Sequence, residues 1–390
     1  MLDLTHMLSG PYAGMILADL GVDAIKIEPP ERGEGTRRLH AKDPLNSLHG
    51  MGSYFLTLNR NKKSVTIDLK AEDGLALFYE LVAESDIVLS NFSAGVVDRL
   101  KISYEHLQAV NPGIICATVS GFGETGPGRD QVAFDMVAQA MGGGMSITGP
   151  FEGMPTRAGI PIGDLGGGLF GVIGVLSAVI ARQTTGRGQQ VDISMLDAQI
   201  SMLSYMATMH FLSGEIPGPI GNNHFTHVPY DAFACQEGHI ILAVITDNFW
   251  TNLLTVVDMP EFDTEENKTQ PGRWKNRQLI HDRLIEVFAS NTQAHWLKLL
   301  RQARIPSAPV NDFAQALNDE QVLHREMVID VDHPSGDGYK TVGNPVKLSE
   351  TGEQSFSSPP LVGQHTDEIL STILGKSEQA IARLRAAGII

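Results

Sequence analysis

Within the first 120 residues, short apolar runs alternate with segments whose apolar residues recur at helical spacing. Val22 to Ile27, Ile87 to Leu89 and Ile114 to Val119 read as strands. Between them Tyr12, Met15, Ile16 and Leu20 share one helical face, as do Leu75, Phe78, Leu81 and Val82, with a shorter pattern near Tyr104 to Val110. Pro11 suits a first helical turn and Gly21 a stop. Strands separated by helices need crossover connections, so the pattern predicts an α/β fold, a parallel sheet with helices on both faces.

A further strand at Val191 to Ser194 leads into a Met-rich helical stretch, Met195 to Leu212, which reads as core. Composition then changes. Gly214, Pro217, Gly218, Pro219, Gly221 and Pro229 surround Asn222, Asn223 and His224, the punctuation of a loop. A second unit is expected from Tyr230, with a strand at His239 to Ile245 and helices near Phe249 to Val257, Arg277 to Phe288 and Ala294 to Arg301. A Gly/Pro-rich passage covers 333–345, and helical segments near 366–374 and 377–387 close the chain. Its 390 residues leave room for two domains, and no internal repeat is present.

Lys plus Arg number 29 against 45 Asp plus Glu, a net charge of −16 that argues against nucleic acid or an anionic membrane as partner. Residues 1–70 differ, with nine basic against eight acidic side chains. Arg32, Arg37, Arg38, Arg60, Lys62, Lys63 and Lys70 lie there, and a solvated face is the plain expectation for such a group. Cys116 and Cys235 are too few for a disulfide framework or zinc ribbon, and no signal peptide is recognisable, so a reducing cytoplasm is expected. Leu165 to Ala181 carries no charge but holds five glycines over seventeen residues, and reads as a buried helix, not a membrane span.

Several motifs fail on context. Gly121, Gly123 and Gly126 match G-x-G-x-x-G after a predicted strand, but Pro127 and Gly128 follow where a helix should open, which leaves a tight turn. Gly375-Lys376-Ser377 lacks the first glycine of a phosphate-binding loop. His224 and His227 lack a third metal ligand, no G-x-S-x-G is present, and neither cysteine has an activated thiolate's surroundings.

Asp164 survives this screen. It is the lone charge between Arg157 and Arg182 and directly precedes an apolar helical run. An N-cap role is one reading. The other is a nucleophile on an acyl group, with amides of Gly166, Gly167 and Gly168 stabilising the oxyanion.

With these residues in view, the sequence resembles the class III CoA-transferases, a family that also holds formyl-CoA transferase, carnitine CoA-transferase and alpha-methylacyl-CoA racemase. The resemblance spans essentially the whole chain. It includes Leu2-Asp3-Leu4-Thr5-His6, Gly10-Pro11, Leu17-Ala18-Asp19-Leu20-Gly21, Asn59-Arg60-Asn61-Lys62, Asp68-Leu69-Lys70, Asn91-Phe92, Asp98-Arg99, Ser120-Gly121-Phe122-Gly123, Thr185-Gly186-Arg187-Gly188-Gln189 and Gly363-Gln364-His365-Thr366. It implies that Asp164 attacks a CoA thioester to give an aspartyl mixed anhydride, that Lys70, Asn91, Phe92 and Arg99 bind CoA, and that Arg60 partners a phosphate. CoA is then a substrate, and neither a metal nor a prosthetic group is implied. Lys62 and Lys63 keep the solvated-face expectation.

Departures narrow the activity. Phe134 stands where the racemase branch has a histidine and cannot accept a proton, which disfavours racemase activity; a 2-methylacyl-CoA racemase or epimerase of the same fold is kept as the alternative reading. Leu8 replaces the glutamine of the oxalate-using formyl-CoA transferases, and residues 220–229 lack their tetraglycine loop, which speaks against formate and oxalate. Ile147-Thr148-Gly149-Pro150 and the Asn223-His224 loop resemble members that act on succinate, glutarate, mesaconate or itaconate. The resemblance further implies a large Rossmann-like domain from 1–200 and 326–390, a linker at 201–224, a smaller α+β domain at 225–325, and two protomers interlocked as rings. Relatives begin several residues earlier, so Met1 reads as a shortened start.

Overall fold

The computed structural model describes residues 1–351 and 355–390. Six strands form its main sheet: β1 (Leu2–Asp3), β2 (Ala24–Glu28), β3 (Lys62–Thr66), β4 (Ile87–Ser90), β5 (Ile115–Ser120) and β6 (Gln190–Ser194). All neighbours pair parallel, in the order β3-β2-β1-β4-β5-β6. This is the doubly wound order, in which the chain reverses direction across the sheet between β1 and β4 and leaves a crevice beyond their carboxyl ends. β1 escapes a pattern search because only its two residues pair, Leu2 with Ile25 and Val88, Asp3 with Lys26 and Leu89.

Helices α1 (Ser9–Asp19), α2 (Glu72–Ala83), α3 (Asp135–Met141), α4 (Ile162–Thr185), α5 (Met195–Met202) and α6 (Tyr205–Ser213) accompany the strands. Alternate strand residues serve opposite faces. Leu2, Ile25, Ile27, Val88 and Cys116 meet Leu77, Phe78 and Leu81 of α2. Ala24, Ile87, Leu89, Ile115 and Ala117 meet Ala13, Ile16 and Leu17 of α1 and Val172, Val175 and Ala178 of α4. The expected Met195–Leu212 helix is two, broken at Ser204, whose φ is +50°.

Compact units in the fold comprise 1–144, 157–214 and 321–390 in one, and 145–156 with 215–320 in the other. The expected 201–224 linker is therefore helical through Ser213, because apolar residues of α5 and α6 continue the helical pattern past 201. In the second unit β7 (Tyr230–Ala234), β8 (His239–Ala243) and β9 (Ser307–Pro309) form an antiparallel sheet in the order β9-β8-β7. Phe233, Ile240 and Leu242 pack there with Trp250 and Leu253 of α7 (Asp247–Val257), Leu284 and Phe288 of α8 (Arg277–Ala289) and Leu300 of α9 (Gln293–Gln302). The first unit ends in the hairpin β10 (Val328–Asp332) and β11 (Gly338–Val342), then α10 (Thr366–Thr372) and α11 (Glu378–Ala386), which complete the α2 side of the core with Ile369, Leu370 and Ile381.

α4 owes its packing to the glycines that mark it in the sequence. A Cβ at Gly168 would stand 2.7 Å from the Ser9 oxygen and 3.0 Å from Tyr12 Cδ1, one at Gly167 2.9 Å from Met195 Cγ, and one at Gly174 2.5 Å from Val191 Cγ1. Glycine here lets α1, α5 and β6 approach the helix backbone. The expected buried helix is buried along one face, whereas in the single chain the opposite stripe, Leu169, Ile173, Leu176 and Ile180, is 41–65% exposed.

The solvated-face expectation for the N-terminal cations is also corrected at three positions. Arg37, Arg60 and Lys62 are buried. Arg60 spans Asp19, with Nε donating to Oδ1 at 3.0 Å and Nη2 to Oδ2 at 2.6 Å, and Nη1 donates to the Val342 carbonyl at 2.8 Å. Its expected role as a phosphate partner fails on this geometry, since every nitrogen is engaged inside the protein. Lys63 is exposed and pairs with Glu368.

Two stability effects follow. Gly168→Ala gains about 1 kcal/mol of helix propensity, but the backbone clash outweighs it, for a net loss of about 1–3 kcal/mol in urea unfolding; Gly159→Ala, where nothing lies within 4 Å, changes little. Arg60→Lys cannot bridge both Asp19 oxygens and loses about 1–3 kcal/mol in the same measurement.

Candidate active site

The segment Leu4–Leu8 runs across the carboxyl end of the sheet between β1 and α1, and it is held from four sides. Asn91, just beyond β4, accepts from the His6 N–H at 2.8 Å and donates Nδ2 to the His6 carbonyl at 2.7 Å, as a neighbouring strand would. Lys26 Nζ donates to the Thr5 carbonyl at 2.7 Å, and Glu34 Oε1 accepts from the Met7 N–H at 3.1 Å. Asp3 Oδ1 accepts from the Thr5 N–H at 2.8 Å. Met7 sits at φ +64°, a strained value that such a set of contacts can enforce.

Beneath this segment the sheet face is charged and buried. Lys62 Nζ lies 2.8 Å from Asp3 Oδ2 and donates to the Pro11 carbonyl and Asn59 Oδ1, both at 3.2 Å. Burial works to raise the Asp3 carboxyl, but the charges of Lys62 and Lys26 prevail and hold it at about 2. Burial brings the Lys62 ammonium down to about 8 against the pull of Asp3. Arg37 grips Glu28 through Nε and Nη2 at 2.7 and 2.6 Å, and Ser64 Oγ donates to the same carboxylate at 2.6 Å.

A cavity of about 1180 Å³ opens beside these strand ends, lined by Thr5, His6, Pro29, Lys70, Phe92 and Arg385 among others. It exceeds the roughly 300–1,000 Å³ of ordinary small-ligand pockets. Of the expected CoA-binding residues, Lys70 and Phe92 line it, and Asn91 anchors its wall through His6. Arg99 is exposed on a short helix, Val96–Arg99, and does not line this cavity. His6 and Arg385 contribute without having been singled out. The His6 ring lies 5.4 Å from Phe92, and burial holds its imidazole below the usual histidine range. Arg385 comes from α11, some 300 residues away in sequence, so no local signal marks it.

Asp164 stands in the first turn of α4, whose N-cap is Pro161, so the N-cap reading is corrected. The cap comes from α3 instead: Asp135 Oδ1 accepts from the N–H of Gly163 at 2.8 Å and of Asp164 at 3.3 Å. The amides of Gly166, Gly167 and Gly168 lie within a helix whose glycines are buried against α1 and α5, so the oxyanion role expected of them is also corrected. Among the described residues no donor reaches the Asp164 carboxylate. Burial, reinforced by the Asp135 charge, raises its carboxyl to about 6. Asp164 is not part of the cavity lining, but Ser9 Oγ donates to its carbonyl at 2.9 Å, two residues beyond the cavity-lining Met7.

The rejected motifs have local explanations. Gly123 and Gly126 take φ near +85° in a turn, with the Gly123 N–H bonded to Ser120 Oγ. Burial pushes the Cys116 thiol to about 12. Among the described residues no cluster of three metal-capable side chains forms around His224 and His227, whose rings lie 4.6 Å apart.

Residues 1–366 match CoA-transferase family III. A succinyl-CoA:mesaconate CoA-transferase of Haloarcula hispanica is 35% identical over 378 residues, 95% of this chain and 94% of that protein. An acetyl-CoA:oxalate CoA-transferase of Acetobacter aceti is 38% identical over 351 residues, 90% of this chain and 88% of that one. The crystal structure of a CaiB/BaiF family protein from Brucella suis superposes with a TM-score of 0.84 at 33% identity, covering 95% of this chain and 97% of that one. Sequence and fold agree along nearly the whole length, and the chain belongs to CoA-transferase family III and is a CoA-transferase.

Proposed function

We propose that this enzyme moves CoA between short dicarboxylic acids with Asp164 as nucleophile. The observation that carries the reading is a half-buried carboxylate with no donor of its own, raised to about 6 beside a helix start. One Asp164 oxygen attacks the thioester carbonyl carbon; the C–S bond breaks and its electron pair leaves on sulfur, giving a mixed anhydride and CoA thiolate. The thiolate then attacks the aspartyl carbonyl and releases the donor acid, leaving an aspartyl thioester. The acceptor carboxylate attacks that carbonyl, re-forms an anhydride and frees the thiolate, which takes the new acyl group and restores Asp164. Lys70, Asn91 and Phe92 are proposed to hold the CoA, Arg99 to meet it at the rim, and no metal or prosthetic group is called for.

Dicarboxylates are supported by the relatives' names and by the Asn223-His224 loop. Leu8 departs from the oxalate-using pattern, yet a relative named for oxalate is 38% identical, so oxalate belongs among the acceptors tested. The racemase alternative is disfavoured, because Phe134 offers no base and the neighbouring Asp135 is committed to Gly163 and, through Oδ2 at 2.7 Å, to Gln139 Nε2. The exposed stripe of α4, with Met202, Met209, Phe211 and Leu212 nearby in sequence, is proposed to be covered by a second copy, giving the interlocked homodimer, in a reducing cytoplasm.

Crossing CoA donors with succinate, glutarate, mesaconate, itaconate and oxalate, read by mass spectrometry, should show new thioesters for the diacids and none for monocarboxylic acids. Asp164→Ala loses about 10³-fold or more in turnover with its fold retained. Protonation removes the nucleophile, so kcat falls as pH drops through about 6. The raised carboxyl also means that ionised Asp164 weakens the fold above that pH, so Asp164→Asn gains about 1–2 kcal/mol at pH 7.5 in urea unfolding. Ile173→Asp with Ile180→Asp converts a dimer, sized by light scattering, into a monomer.

A further inference from the structure

We infer that Asp135 is a positioning residue that keeps the Asp164 carboxylate free of hydrogen bonds and opposite a like charge, and so strengthens it as a nucleophile. The inference rests on the reading of Asp164 as the group that attacks the thioester.

An acidic residue in the first turn of a helix ordinarily gains from the unpaired amides there and from the helix dipole, both of which stabilise its ionised form and weaken it as a base. At the start of α4 those amides are already taken. Asp135 Oδ1 holds the Gly163 and Asp164 N–H groups, and the approach is close enough that a Cβ at Gly163 would stand 3.0 Å from both Asp135 O and Oδ1. Asp135 is itself fixed. Gln139, one turn along α3 and buried, donates Nε2 to Asp135 Oδ2 at 2.7 Å and accepts from the Ala158 N–H through Oε1 at 2.9 Å. The Asp135–Gln139 pair therefore ties the segment before α4 to α3.

Other elements packed on this turn bring no compensating charge. From α1 come Ser9, which donates to the Asp164 carbonyl, and Tyr12, whose phenol burial holds above its usual range; from α5 comes Gln199, which donates Nε2 to the Ile162 carbonyl at 3.2 Å. Among the described residues the Asp135 carboxylate is the charge that bears on Asp164, and it acts in the same direction as burial.

The test is the pH profile of Asp135→Asn. This variant keeps an oxygen for the two amides and removes the charge. Its acid limb in kcat should move down by about 0.5–1 pH unit. Turnover at pH 8 should fall about 3–10-fold, with a smaller deficit or a gain below pH 6. General structural damage would lower activity at every pH and leave the limb in place. Adding Gln139→Glu returns a negative charge one turn away and restores complementary hydrogen bonds to both Asp135→Asn and Ala158, so the limb should move back toward wild type. Asp135→Ser is a second neutral replacement should the asparagine variant not fold, with the same downward shift expected. An unmoved acid limb in a folded neutral variant, with Asp164 still acylated by isotope-labelled donor, overturns the positioning role alone. Absence of label from Asp164 in the wild-type enzyme overturns instead the nucleophile reading on which it stands.

Discussion

Charge buried on one face of the sheet is the constraint from which the active region is built. Asp3, Lys26, Glu28, Lys62 and Ser64 alternate with the apolar residues of β1, β2 and β3 and point away from the α2 core, all at 0–2% exposure. Ions so placed lose hydration worth several kcal/mol each, and the fold tolerates them only if every group is paired in good geometry. Here the pairing reaches outward. Lys26 holds the carbonyl of Thr5, Glu28 holds Arg37 and the Glu34 N–H, and Lys62 holds the start of α1 through Pro11. Such a network adds less to stability than apolar packing of equal volume would, but it leaves the strand-end segments few alternative positions. Those segments form the cavity wall.

α1 transmits that order to Asp164, the proposed nucleophile. Its first turn begins where the held segment ends, and it crosses α4 at glycines, so Ser9 and Tyr12 lie against the helix backbone near Asp164. Any side chain at these glycines would lift α4 off α1 and shift Asp164 relative to the cavity. The run that looks membrane-like in sequence is thus a helix whose small face packs inward and whose large face stays exposed.

Much of this architecture was legible from residue order. Apolar runs spaced by amphipathic helices specify a parallel sheet, and an isolated Asp before a glycine-rich apolar helix marks an unusual helix start. What could not be read is pairing at a distance. Arg60 and Lys62 look like members of a basic surface because their partners, Asp19 and Asp3, lie 41 and 59 residues earlier. Arg385 reaches the cavity from the far end of the chain for the same reason. Asp164 looks like its own helix cap because nothing in the spacing reveals that Asp135, from a different helix, has already bound the amides. Periodicity reports the face a residue occupies, whereas these roles depend on which two faces meet.

Two aspartates of this protein show how location within the network assigns their chemistry. Burial alone would raise the carboxyls of both Asp3 and Asp164. At Asp3, two lysines and the Thr5 hydroxyl overcome it and the group is held at about 2, which leaves its lone pairs committed and poor at attacking carbon. At Asp164, among the described residues, no cation forms an ion pair, a second carboxylate has taken the helix amides, and burial prevails to about 6. Basicity and nucleophilicity rise together for oxygen nucleophiles of one type, so the lack of donors at Asp164 suits the proposed nucleophile, whereas the donors at Asp3 hold the same functional group weakly basic. Of the buried cations of residues 1–70, Lys62, Arg60 and Arg37 are paired by Asp3, Asp19 and Glu28, and Lys26 is held on the Thr5 carbonyl. Among the described residues no cation pairs with Asp164, so the carboxylates that brace the fold are given cations and the one proposed to attack a thioester is not.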